Sequence, residues 1–395
     1  MTKIVIGFVG SFGSGCSYLS KRYIVPSGFK YISLSEILRD EYQNPTIFEN
    51  DKREPNPTRE MLQEFGDKLR KEKVLSHLAQ KANELIQSED HTQNWVVDSF
   101  RHPAEIDFFR ATFPGFYLFS IYADYETRWL RVKQKYKDNQ GLFDEDDRRD
   151  QDEPFEYGQK VRDCFLKADI ALSNNTPILD SNEADKLMAT RFKNYLSIIE
   201  EKIQFVPSEA EALMVIAYAN SIRSSCKKRK VGAVLVDIFG QVFSTGFNEV
   251  PKDSDPCEKA YGKCYRDYLR NQISTEISSK IKDLSICKDV NELIKSKYKN
   301  LDYCRALHAE EQAILSVART GSSLALRGSH LYSTTYPCNL CANKIAQVGI
   351  KQVIYLEPYP MLEAKKILAK NMVDAIPFEG VLFNGYFRFF KGGNE

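Results

Sequence analysis

From His308 to Cys341 the chain reads HAEEQAILSVARTGSSLALRGSHLYSTTYPCNLC, and three segments of that stretch decide the local fold. Apolar or small residues at Ala309, Ala313, Ile314, Val317 and Ala318 recur at the roughly 3.6-residue period of a core-facing helix. A helix is therefore predicted over 308–319, with His308 and Glu310 in its first turn. The run 330–335 (HLYSTT) reads as a strand. Pro337 suits the entry to a second helix, predicted over 338–348, and Cys338 and Cys341 point to one side of it. A helix N-terminus also favours thiolate over thiol. One imidazole and two thiolates make three ligands, whereas Zn²⁺ prefers a tetrahedron of four, so a water completes the set. On the metal that water ionises near pH ~7 instead of ~16. Glu310 is not needed by the metal and is placed to carry protons. A structural zinc knuckle, or a pair of buried free cysteines, is the plainer reading of a lone C-x-x-C; the H-x-E at the head of a second helix argues against it.

A chain of 395 residues is long enough for two domains of ordinary size, each with its own core. The net charge of +1, with 28% charged residues, excludes the global basic field that drives nonspecific nucleic-acid binding and points to a small-molecule substrate. No run approaches the ~20 apolar residues of a membrane span, and the N-terminal MTKIVIGFVGSFGSG is too short and glycine-interrupted for a secretory signal. A cytoplasmic protein without a membrane partner is expected. In that compartment nine cysteines read as metal ligands and buried thiols rather than disulfides.

The first ~170 residues alternate strand-like and helix-like segments, the pattern of a parallel α/β sheet. KIVIGFV (3–9) is a buried-strand run leading into GSFGSGCS (10–17). That octet has the form of a phosphate loop, G-x-x-x-x-G-K-[ST], with Cys16 where lysine belongs. Gly10, Gly13, Ser14 and Gly15 keep a backbone able to cradle phosphate, and Ser17 keeps the hydroxyl of a Mg²⁺ site. WVVD (95–98) is a second strand ending in Asp98, placed as a Walker-B-like acid, with Arg101 after it. A third strand spans 115–123, and a charged helix over 124–137 carries Arg128 and Arg131. The run DEDDRRDQDE (144–153), with Arg148 and Arg149, reads as an exposed lid. For each of these arginines a solvated face is the plain alternative. Nucleotide binding without phosphoryl transfer is the expected reading of this half; kinase turnover and a structural relic are the alternatives. Polar residues over 174–185 precede an amphipathic connecting helix over 186–203. Ser208 and Glu211 then form a capping box that opens a helix to about residue 225. The domains are therefore placed at 1–203 and 204–395.

The first half resembles P-loop nucleotide-kinase-like domains. From Ser208 onward the order KVGAVLV (230–236), GFNEVP (246–251), HAE helix, PCNLC helix and QVIY (352–355) resembles the cytidine-deaminase-fold dCMP deaminases, whose signature is H-x-E…P-C-x-x-C. The fold class implied is α/β throughout: an N-terminal P-loop nucleotide-kinase-like parallel sheet and a C-terminal cytidine-deaminase-like three-layer α/β/α domain. The resemblance further implies that Asn248 contacts the sugar and that the main chain at Ala309 and Tyr336 meets the pyrimidine edge. It makes Lys230 or Arg229, and Tyr355 or Tyr359, candidates for phosphate contact, with strand-edge packing as the alternative. Serine is usual in that family where this chain has Tyr336. Some members hold a second, structural zinc, and Cys226 and Cys257 fall at its cysteine positions. The usual histidines are missing, so Cys264 and Cys304 complete a closed four-thiolate set, with Cys287 also nearby in sequence; reduced buried cysteines are the alternative. Such a zinc would staple the 253–307 insertion, which reads as charged surface helices.

As a whole the chain resembles the bacterial anti-phage dCTP/dCMP deaminases. That implies hydrolytic removal of the exocyclic amine from cytosine deoxynucleotides, dCTP or dCMP giving dUTP or dUMP and ammonia, which drains nucleotides from phage replication. It also implies a homo-oligomer and a nucleotide, held by the first domain, as effector. Two readings compete. A deaminase of polynucleotides (tRNA or single-stranded DNA, cytosine or adenine) needs an electropositive path with exposed aromatics. The near-zero charge leaves a nucleic-acid partner unindicated, although KKRK (227–230) is a local basic patch. A nucleotide-sensing P-loop interaction protein with a vestigial deaminase is the other, and an intact Glu310 argues against it.

Overall fold

The computed structural model describes residues 3–44, 46–48, 53–89, 92–151, 156–175, 182–281, 283–297, 303–321, 323–357 and 362–390. It divides into two compact units, Met1–Glu211 with Pro377–Glu395, and Ala212–Ile376. No helix among the described residues is long and apolar enough to cross a membrane.

In the first unit the expected strands form as β1 (Ile4–Val9), β3 (Trp95–Asp98) and β4 (Gly115–Tyr122), joined by β2 (Lys30–Ser33) and β5 (Ile170–Ser173), which sequence periodicity does not single out. All five pair in parallel, in the order β5-β4-β1-β3-β2. Parallel strands are buried on both faces, which is why β1 and β3 are continuous apolar runs. Ile6, Phe8, Phe119 and Ile121 form the centre of one face, where the Phe8 ring stacks on Phe119 at 5.4 Å and on Phe192 at 6.0 Å. Phe192 comes from the helix Asn182–Ile199. That helix is predicted as a connector, yet Met188, Phe192, Leu196 and Ile199 are buried in the sheet's core.

A sixth strand arrives from the far end of the chain. Before it come four strands of the second unit, β6 (Gly232–Val236), β7 (Val242–Phe247), β8 (His330–Thr335) and β9 (Gln352–Glu357), and then β10 (Asp374–Pro377). Next, β11 (Gly380–Val381) adds antiparallel to β5, so the first sheet reads β11-β5-β4-β1-β3-β2. Glu211 secures it by accepting the Val381 N–H at 2.6 Å, while its other carboxylate oxygen accepts the Ser208 N–H at 2.7 Å. The helix Phe383–Phe390 follows, and there Phe389 stacks on Tyr117 at 5.3 Å and lies 5.8 Å from Phe205. These contacts explain why the first unit extends past 203, to Glu211, and why 377–395 does not belong to the second as the sequence division has it.

The acidic run also departs from expectation. Over its described part it lies in the helix Gln140–Gln151, and two of its acids are buried: Asp147 at 6% and Asp150 at 0% exposure. Arg128 grips Asp147, Nη2 to Oδ2 at 2.9 Å, while Arg101 and Arg59 pair with Asp150. Charges read as solvated are here desolvated in opposite-sign pairs, the condition under which a buried carboxylate is tolerated.

The second unit is a mixed sheet in the order β10-β9-β8-β6-β7, with β6 antiparallel to both neighbours and β8 parallel to β9. Alternate residues Ala233, Leu235, Leu331, Val353 and Tyr355 pack with Ala309, Ala313, Val317, Cys341, Ala342 and Ile345 from the helices Ala309–Thr320 and Asn339–Val348. On the opposite face of β6 a Cβ on Gly232 would stand 1.8 Å from the Ala217 carbonyl of the helix Glu209–Ile222. Helices thus cover both faces, giving three layers. The insertion forms the helices Cys257–Tyr261, Tyr265–Lys280 and Leu284–Lys297, the first two with no buried residue.

β7 meets the Ala309–Thr320 helix almost backbone to backbone. A Cβ on Gly246 would lie 2.1 Å from the Ala309 carbonyl and 2.6 Å from the Ala313 N. Because backbone cannot swing aside, Gly246→Ala is expected to cost about 1–3 kcal/mol or more through overpacking. Urea denaturation of the variant checks it; an unchanged midpoint would show that the helix moves freely off the sheet.

Candidate active site

His308 sits at the N-cap of the Ala309–Thr320 helix, one position earlier than the sequence places it, and its extended backbone (φ −75°, ψ 156°) turns the chain into the first turn. Its carbonyl opens the helix ladder by accepting the Gln312 N–H at 2.8 Å, and Glu311 reaches back to its N–H at 3.4 Å. Cys338 holds the equivalent N-cap of the Asn339–Val348 helix, which puts Cys341 in the first turn, 1% exposed. The bond from β7's Phe247 N–H to Gln312 Oε1 (2.8 Å) ties the first helix to the sheet.

Nδ1 of His308 lies 3.2 Å from Cys338 Sγ and 3.3 Å from Cys341 Sγ. Among the described residues these three form the one His/Cys/Asp/Glu group of three or more whose donor atoms all fall within 4.8 Å of each other. Zinc bond lengths of about 2.3 Å to sulfur and 2.0–2.1 Å to nitrogen, at a tetrahedral angle, separate N and S by about 3.6 Å. The donor set and its spacing therefore fit a zinc ion after an opening of a few tenths of an ångström. Hydrogen bonding from Cys341, and then from His308, holds the Cys338 thiol well below its ordinary range, in the direction of the thiolate that a metal takes. The sulfurs of Cys304 and Cys338 draw the imidazole up to about 10, and a soft cation satisfies the same sulfurs.

Glu310 is 2% exposed and accepts from Cys341 Sγ at 3.7 Å. Desolvation pushes its carboxyl up to about 7. A group with that affinity gives and takes protons with equal ease near neutrality.

The other sequence candidates fall into several settings. Ala309 is fully buried at the start of its helix. Tyr336 and Tyr355, 8% and 4% exposed, pack edge to face at 4.7 Å. Tyr359 lies outside the described residues. Lys230 Nζ donates to the Ile222 carbonyl at 3.3 Å. Asn248 is 8% exposed and its amide locks the turn before β6: Oδ1 accepts the Val231 N–H at 2.7 Å and Nδ2 donates to the Arg229 carbonyl at 2.8 Å. Arg229 donates to Thr335 and to the buried Glu357 carboxylate. That clamp joins β6's approach to the ends of β8 and β9, and sequence reading missed it because its members lie far apart in the chain.

The four cysteines proposed for a second zinc do not form a group of donors within 4.8 Å. Burial first, then the nearby Cys264 and Cys304 sulfurs, raise the Cys226 thiol. Cys304 bonds to His308, which lowers the thiol and places it beside the first cluster. Cys257 begins its own short helix.

In the first unit Gly13 and Gly15 adopt φ of 84° and 93°, bending the loop between β1 and the helix Cys16–Leu19. Gly10 admits no side chain, because a Cβ would lie 2.6 Å from the Ile121 carbonyl. Ser14 Oγ contacts Cys16 Sγ at 3.4 Å, and Ser17 donates to the buried Asp98 carboxylate.

Residues 207–357 match the family model described as the cytidine and deoxycytidylate deaminase zinc-binding region. A deoxycytidylate deaminase of Schizosaccharomyces pombe is 34% identical over 158 residues, 40% of this chain and 40% of that protein, so the chain spans well under half of this relative's length. The deoxycytidylate deaminase of Enterobacteria phage T2 is 32% identical over 157 residues, 38% of this chain and 81% of that one. A UPF0200 protein of Methanothermobacter thermautotrophicus is 30% identical over 182 residues, 45% of this chain and 85% of that one. On that likeness, which covers four fifths of the phage T2 enzyme and includes the stretch that carries His308, Cys338 and Cys341, the chain belongs to the deoxycytidylate deaminase family.

Proposed function

We propose that the chain hydrolyses the exocyclic amine of cytosine in a deoxycytidine nucleotide, with dCMP as the substrate its relatives' names support. The observation that carries this is the buried Glu310 carboxyl beside three zinc donors that leave one place open. A zinc ion bound there supplies a water acidified to near pH ~7. Glu310 takes a proton from the attacking water, passes it to the ring nitrogen N3, and returns a proton to the departing amine. The C4–N bond breaks, a C4–O bond forms, and uracil and ammonia result. The main chain at Ala309 and Tyr336 lines the pyrimidine edge. Asn248 retains one N–H and one lone pair beyond its two backbone bonds, enough to meet the sugar.

Incubation of the purified protein with dCMP, dCTP and a single-stranded oligonucleotide, read by ammonia and uracil formation, tests the reading. Ammonia is expected from the mononucleotides; release from the oligonucleotide alone, or from none, would overturn it. Zinc content per chain is expected near one for the His308 cluster. A value near two would add Cys226, Cys257, Cys264 and Cys304.

A further inference from the structure

His308 reaches the metal cluster from one helix, and Cys338 and Cys341 reach it from another. The spacing of the three donors is therefore set by how the starts of those two helices stand against each other. Apolar packing holds both helices on the sheet, through Ala309, Ala313, Ala342 and Ile345 among others, but such packing is non-directional. A directional contact is needed to fix one helix start on the other.

That contact lies just outside the donors. Glu311 follows His308 by three residues and Lys344 follows Cys341 by three, so each stands one turn along from a ligand. Lys344 Nζ meets Glu311 Oε1 at 2.8 Å, and Oε2 of the same carboxylate accepts the His308 backbone N–H at 3.4 Å. The two oxygens of one side chain thus tie the start of the Ala309–Thr320 helix to the turn that follows Cys341. Since Cys341 Sγ lies 3.3 Å from His308 Nδ1, the contacts close a ring through His308, Glu311, Lys344 and Cys341. Pairs such as Lys259–Asp255 and Lys280–Glu276 differ, for they join neighbours along one stretch of chain and link nothing else.

We propose that Glu311 and Lys344 are positioning residues for the zinc ligands, holding His308 at the distance from the two cysteines that the ion requires. The inference rests on the zinc reading given above and not on which nucleotide is deaminated. Side-chain exposures of 41% for Lys344 and 21% for Glu311 mean that the ion pair adds little to folding. Partners that orient metal ligands, in contrast, typically change metal affinity by about 10–100-fold when altered. Metal binding should therefore respond where stability does not.

The test is competition for zinc between the metal-stripped full chain and a chromophoric chelator, with the thermal midpoint of the metal-free protein read alongside. Lys344→Met and Glu311→Gln are each expected to weaken zinc binding by about 10-fold or more and to leave the metal-free midpoint in place. Glutamine can still accept the His308 N–H, so Glu311→Gln isolates the lost ion pair. Lys344→Arg keeps the charge and is expected to recover most of the affinity. In the double variant the two losses should not multiply, because each single change breaks the same contact. Unchanged zinc affinity in both single variants overturns the proposal, as do losses that multiply in the double variant. A Lys344→Arg chain as weak as Lys344→Met overturns it too, and so does a weakened affinity matched by an equal fall in metal-free stability, the mark of a folding contact alone. An unmodified chain that takes up no zinc brings down the zinc reading together with this inference; variants that hold zinc as tightly as the unmodified chain bring down this inference only.

Discussion

Replacing Glu310 with glutamine is expected to leave zinc content at the level of the unmodified protein and to lower turnover of dCMP by roughly 10²–10⁴-fold, the range typical of a lost general acid–base. The two halves of this expectation come from different observations. Glu310 stands outside the three-donor group, so its charge is not what retains the metal. Its carboxyl is 2% exposed and pushed up to about 7, which suits proton exchange at neutral pH and nothing structural. An amide of the same shape keeps the packing and loses the proton. Ammonia release and metal analysis on the same preparation decide the matter; a zinc-replete variant with ordinary turnover would remove Glu310 from the chemistry.

Cys338→Ala is expected to have the larger effect on metal. Altering a partner outside the ligand shell typically costs about 10–100-fold in metal affinity, and removal of one of three ligands must cost more. The variant should lose zinc on dialysis, and with it all measurable deamination. Thermal stability should fall as well, since metal binding in such sites contributes to folding free energy. His308 and the buried Cys341 would be left as a two-donor remnant at 3.3 Å, too few for a tetrahedral ion. Zinc retained near one per chain after dialysis would mean that another sulfur takes the place. Cys304, in contact with His308, is the candidate to examine first.

The convergence of His308, Cys338 and Cys341 was readable in the sequence because zinc restricts both the kind of ligand and its spacing. His308 and Cys338 each head a helix whose period is plain, and the two helix starts carry the geometry with them. The strand pair that closes the first sheet was not readable. Gly380 and Val381 are too few to show a period; they are a strand because β5 offers an edge and Glu211 holds the Val381 N–H. Asp150 fails for a related reason. A run of acids suggests solvent, and only partners 49 and 91 residues away, Arg101 and Arg59, make burial affordable. Asn248 shows a third limit: its residue type suggests a ligand contact, while its two bonds to the main chain show that it also holds the turn before β6.

The return of residues 377–395 to the first sheet bears on the order in which the protein assembles. A ribosome delivers β11 after everything it must join, so the opening sheet waits with β5 as an unprotected margin while the intervening residues 212–376 complete their own layers. Unsatisfied strand margins recruit neighbouring chains. A gene cut at 203 would make that waiting state permanent, and its product should aggregate unless the last nineteen residues are supplied in trans or by circular permutation.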